Sequence, residues 1–65
     1  MTDLEMVERE IATLQESIRV ATHALDDPSL SVEGRNRERA SIEFYQRHLD
    51  DLLTKRDYLQ AQSQG

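Results

Sequence analysis

The sequence predicts an all-α protein. Its expected form is an antiparallel two-helix hairpin, with helices over about 3–25 and 32–61, that pairs into a dimeric four-helix bundle or coiled coil. Three observations carry this. Leu4, Val7, Ile11, Leu14, Ile18, Ala21 and Leu25 recur at alternating steps of three and four, an unbroken heptad seam. Ile42, Tyr45, Leu49, Leu52, Arg56 and Leu59 form a second seam at the same steps. Pro28 stands between them, and Gly34 and Gly65 are the only glycines, too little punctuation for a β fold.

The first helix has a marked start. Thr2-Asp3-Leu4-Glu5 is a capping box, in which Thr2 accepts from the Glu5 backbone N–H and Glu5 reaches back to Thr2. Asp3 and Glu5 also complement the positive end of the helix dipole. A proline pushes the residue before it out of the α region, so the helix should end near Leu25 or Asp26.

Asp27-Pro28-Ser29-Leu30 reads as a short turn, with Ser31 as the second N-cap and Leu30 as a local anchor. Helix 2 then runs from Val32 to Gln60 or Ala61, and the polar tail Gln62-Ser63-Gln64-Gly65 is expected to fray. Gly34 weakens its first turn by about 1 kcal/mol relative to alanine. The single chain of 65 residues is one helical-hairpin domain.

Folding about Pro28 sets Leu14 near Ile42 and Tyr45, Val7 near Leu49, and Leu4 near Leu52, with Arg56–Ala61 overhanging the start of helix 1. Ile18, Ala21 and Leu25 then face residues 32–39, where only Val32 and arginine stems offer cover. Arg56 either lies exposed beyond helix 1 or fixes register by pairing with Glu5 or Glu8 of this chain or of a partner.

Apolar residues also recur off the seams. Met6 and Val20 share a position two heptads apart in helix 1, and Phe44 and Tyr58 share the equivalent position in helix 2. Leu53 broadens the opposite flank. Below about 70–80 residues a single core rarely supplies more than about 3–5 kcal/mol. With no cysteine, disulfides cannot supplement it. Burying a large apolar side chain is worth about 1.5–3 kcal/mol, so these extra groups point outward to a partner. Met6, Ile18, Val20, Leu25, Phe44, Leu53 and Tyr58 are the expected intermolecular surface.

Charge and motif content narrow the function. The net charge is −5, with seven acids against two bases in residues 1–27 and six against six in residues 28–65. An acidic first half repels phosphate, so general nucleic-acid binding is disfavoured. Arg35, Arg39 and Arg47 are the candidate anion or partner contact, weighed against a solvated face where Glu33, Glu38 and Glu43 offer pairing. His23 with Asp27 and His48 with Asp51 give two ligands each, too few for a closed metal site. No nucleophile motif occurs, and a thin rod lacks the dry cleft that acid–base chemistry needs.

No enzyme activity, cofactor or metal is therefore expected. The expected function is a small non-enzymatic protein–protein interaction module, an adaptor, assembly factor or inhibitor, that forms a homodimer and binds a protein target. A dimeric nucleic-acid-binding bundle using Arg35, Arg39 and Arg47 is the alternative, together with an acidic phosphate mimic that inhibits a nucleic-acid-binding protein. No apolar run is long enough to span a membrane, and a cytoplasmic setting is the expectation.

Overall fold

The computed structural model describes residues 2–64, with side chains through Gln62. Two helices, α1 (Asp3–Leu25) and α2 (Val32–Gln64), pack against each other as a hairpin. The rod measures 52 × 17 × 14 Å, close to the roughly 50 Å that α2 spans at 1.5 Å per residue.

The start of α1 follows the local sequence. Glu5 N donates to Thr2 Oγ1 at 3.1 Å and Thr2 N to Glu5 Oε1 at 3.4 Å, completing the capping box. At the other end Asp26 N and Asp27 N donate to His23 O and Ala24 O. The chain then turns on Asp27, whose Oδ1 accepts from Ser29 N at 2.9 Å and Ser29 Oγ at 2.7 Å. Ser31 caps α2, its Oγ accepting from Gly34 N at 3.0 Å. Gly34 is helical, and Leu30 folds onto it: a Cβ at this position would lie 2.7 Å from Leu30 Cδ1.

α2 continues to Gln64 rather than ending near Gln60 or Ala61. Helix-favouring Gln and Ala residues meet no breaker before the last position, so nothing stops the helix earlier. Gly65, the last residue of the expected frayed tail, lies outside the described residues.

Both seams face inward. Val7, Ile11, Leu14 and Leu52 form the buried core, with Tyr45, Leu49, Leu53 and Leu59 packed against it. Ala21 is also buried. The core is thin, and among the described residues no large side chain is wholly enclosed.

The register differs from a sharp fold about Pro28. Leu4 shares a groove with Leu59 and Gln62, one heptad beyond the expected Leu52. The loop uses residues 26–31, and the first turn of α2 extends past the end of α1 before the two seams come level. Extended along both helices, this register sets Ile11 level with Leu52, Leu14 with Leu49, Ile18 with Tyr45 and Ala21 with Ile42.

Three expectations change as a result. Ala21 is covered from the level of Ser41 and Tyr45, not by Val32, which is 74% exposed. Leu59 packs on the core and so does not overhang α1. Arg56 is half-buried rather than exposed beyond α1, and within its own chain it pairs with neither Glu5 nor Glu8. Its nearest charge is Asp57, 3.8 Å away within α2, and its Nε is buried without a hydrogen-bond partner among the described residues.

Candidate interaction surface

Heptad lettering, with Leu4 and Ile42 at position a, sorts the two broad faces of the rod. At 100° per residue, position g lies about 90° from the seam midline, and c lies beyond it on the same side. Positions e and b occupy the other side. In an antiparallel pair the g positions of both helices share one face and the e positions share the other. The grooves agree with this. Ser17 and Ala24 line one groove with Ser41, all at g. Gln15 and Gln46, both at e, line another.

The g/c face carries most of the exposed apolar surface. Met6 (48% exposed), Val20 (60%), Phe44 (66%) and Tyr58 (63%) all occupy position c. The remaining large exposed apolar residue, Val32, lies on the e/b face at the start of α2. In the observed register Val20 is level with Phe44, and Met6 with Tyr58. The face therefore bears two apolar pairs about 21 Å apart, the length of two heptads.

The ground between the pairs is small or polar. Near the hinge a groove of about 390 Å³ runs between the helices, floored by the small residues Ser17, Ala24 and Ser41 and edged by Val20 and by the acids Glu16 and Glu38. Ser17 Oγ donates back to Thr13 O at 3.1 Å, so its proton is used within α1. Phe44 stacks edge-on against Tyr45, with centroids 6.1 Å apart. Thr13, His48 and Asp51 occupy the middle. At the open end Gln62 Nε2 donates to the Tyr58 hydroxyl at 2.9 Å.

The other expected interface residues fall elsewhere. Leu53, at position e, is half-buried against the core on the opposite face. Ile18 and Leu25 are half-buried in the seam between the helices. Within the hairpin the heptad broadening at Leu53 widens the intramolecular core.

The arginine cluster is divided. Arg35 Nη1 donates to Leu25 O at 2.8 Å and Nη2 to Asp27 O at 3.2 Å. It satisfies a carbonyl left unpaired at the end of α1 and places a cation at the negative end of that dipole. Arg35 is thus a hinge clamp rather than an open anion contact. Arg39 and Arg47 are exposed, but they stand about 80° apart around α2 and about 12 Å apart along it. The structure brings no three of these cations together.

The role of Arg35 had a sequence signal. Continuing the α2 seam upstream from Ile42 in the same steps reaches Glu38 and then Arg35, which makes Arg35 a seam residue. The small groove residues Ser17, Ala24 and Ser41 also carry a signal, since all three hold the same heptad position.

Among the described residues no cluster of three or more His, Cys, Asp or Glu is arranged to hold a metal ion, and no helix is long and apolar enough to cross a membrane. Among the described residues Asp27 is the titratable group with a distinct perturbation. Hydrogen bonds from the Ser29 hydroxyl and backbone lower its pKa, with the Arg35 charge adding to the effect. That shift belongs to the turn, on the hinge loop. Comparison with protein families, curated proteins and solved structures finds no match to this chain.

Proposed function

We propose that this chain is a small non-enzymatic protein–protein interaction module, an adaptor, assembly factor or inhibitor, working through its helix faces. One observation carries the reading: four of the five large exposed apolar side chains share the g/c face of a rod with a thin core. Aromatic anchors dominate interface energies, and Phe44 and Tyr58 supply one to each apolar pair. With Arg35 engaged at the hinge, the arginines offer less to a nucleic-acid reading than the apolar face offers to a protein.

The test is the size of the species containing this chain in extract of its own cell, for the native sequence and for Phe44→Ala/Tyr58→Ala. The native chain should migrate well above its 7.5 kDa, and the double variant should shift towards that mass. A native chain that runs as a free 7.5 kDa species in extract sinks the reading.

A further inference from the structure

We infer that the partner on the g/c face is a second copy of this chain, related by a two-fold axis parallel to the rod. In this arrangement α1 of one protomer lies antiparallel on α2 of its partner, and both hinges sit at the same end. The inference rests on the interaction-module reading and names one partner for it.

Two isologous arrangements stack g/c faces with antiparallel neighbours. A parallel axis lays α1 on the partner's α2. A perpendicular axis lays each helix on its own counterpart, head to tail. Charge separates them. With the parallel axis, the register of the hairpin carries over to the interface. Val20 meets the partner's Phe44, and Met6 meets the partner's Tyr58. Ala24 lies level with the partner's Ser41, and Ser17 with the partner's His48. Glu10 falls level with the partner's Lys55, and Glu16 with the partner's Arg47. No like charges are opposed at these positions.

With the perpendicular axis, the register that brings Met6 to the partner's Val20 also brings Glu10 to the partner's Glu16. It sets Arg47 against the partner's Lys55 and Asp51 against the partner's Asp51. It further stacks the acidic first half on itself, seven acids and two bases in each copy. Opposed like charges at an interface are costly and select against that pairing.

Within one chain Glu10 and Lys55 remain available. Among the described residues the ion pairs are Glu16–Arg19 and Arg56–Asp57, each inside a single helix. The small floor residues Ser17, Ala24 and Ser41 let the second chain approach closely near the hinge, where Glu16 at the groove edge has the partner's Arg47 at its level. A face 52 Å long and 17 Å wide projects on the order of 900 Å², comparable to the area each partner buries in a standard stable interface.

Light scattering on the purified chain should give twice the 7.5 kDa monomer mass. Phe44→Glu should give a monomer that keeps its helical circular dichroism, because Phe44 is exposed in the hairpin. Glu10→Lys alone and Lys55→Glu alone should each raise the dissociation constant roughly tenfold, since each swap turns two attractive pairs per dimer into repulsive ones. Mixing the two variants restores both pairs in trans, so the mixture should associate as tightly as the native chain. Pairing within one chain would be rescued only by the double variant, never by the mixture.

A native chain that stays monomeric at millimolar concentration overturns the inference. So does a dimer indifferent to Phe44→Glu, or a mixture without rescue. If the purified chain is monomeric yet runs in a larger species in extract, this inference falls and the interaction-module reading stands.

Discussion

The two ends of the rod are held together by different physics. At the open end, Leu4 to Leu14 meet Leu49 to Leu59, and the seam is apolar apart from the stem of Arg56. At the hinge end, Ile18 to Leu25 meet Tyr45 to Glu38, and Arg35 reaches back from the turn of α2 that extends past α1. There the contacts are directional: Asp27 with Ser29, Ser31 with Gly34, and Arg35 with two carbonyls. Burial sets how strongly the helices adhere, whereas the polar clamps set where they turn and in which register they meet. The open end should therefore respond to lost volume, and the hinge end to lost hydrogen bonds.

The largest expected effect tests the apolar end. Ile11→Ala removes a buried core side chain, a change that typically costs 2–5 kcal/mol. A core of this size supplies only about 3–5 kcal/mol in all, so the variant should lose most of its helical signal in thermal melts read by circular dichroism. Ile18→Ala, at a half-buried position near the hinge, should cost clearly less. Equal losses from the two would abolish the distinction between the ends.

The hinge clamp comes next. Arg35→Ala leaves Leu25 O and Asp27 O without their guanidinium donor and should cost about 1–2 kcal/mol in urea unfolding. Arg35→Lys should recover only part of this, because one ammonium cannot match a fork that reaches two carbonyls. Arg39→Ala and Arg47→Ala, at exposed sites, should stay within about 0.5 kcal/mol. If all three alanine variants behave alike, Arg35 is no clamp.

Local signals were legible in the sequence and distant ones were not. The Thr2–Glu5 capping box closes over three residues, so its spacing alone identifies it. Seam periodicity likewise revealed the core positions and the off-seam c-position residues Met6, Val20, Phe44 and Tyr58, all of which are exposed. Register was not legible, because it depends on how many residues the loop uses before α2 comes level with α1. The heptad repeat fits equally well one heptad away. Placing Leu4 by Leu52 rather than Leu59 made Ile18 and Ala21 look uncovered and set Arg35 beside Ala21, whereas it lies past the end of α1 and reaches back to Leu25 O. Leu53 was ambiguous for a related reason: an e-position leucine can widen either an internal or an external contact, and within the hairpin it packs on the core.

Gly34 offers a finer probe of the hinge. Gly34→Ala should gain up to about 1 kcal/mol of helix propensity. It must also move Leu30, whose Cδ1 would lie 2.7 Å from the new Cβ. The two effects should nearly cancel in the native background. In Leu30→Ala the obstruction is gone, and the same substitution should stabilise by close to the full propensity term. A double-mutant cycle measures the difference as a coupling between the two sites. No coupling would mean that Leu30 does not rest on Gly34 in solution.

The smallest effect is the pH response of the turn, where Asp27 is solvent-exposed. Its pKa is lowered in the folded chain, first by the Ser29 hydroxyl, then by the Ser29 N–H, with Arg35 contributing. A carboxylate with a depressed folded pKa stabilises the fold fully above its unfolded value, and that contribution disappears as pH falls through the folded value. The hinge should accordingly loosen on the acid side, below the ordinary aspartate range, and not near neutrality. Asp27→Asn keeps an oxygen to accept from Ser29 but removes the titration. In acid melts the native chain should lose stability in that window more steeply than the variant, with the gap narrowed in Arg35→Ala, where one source of the shift is absent. Identical acid profiles for the native chain and Asp27→Asn would mean that the carboxylate does not hold the turn.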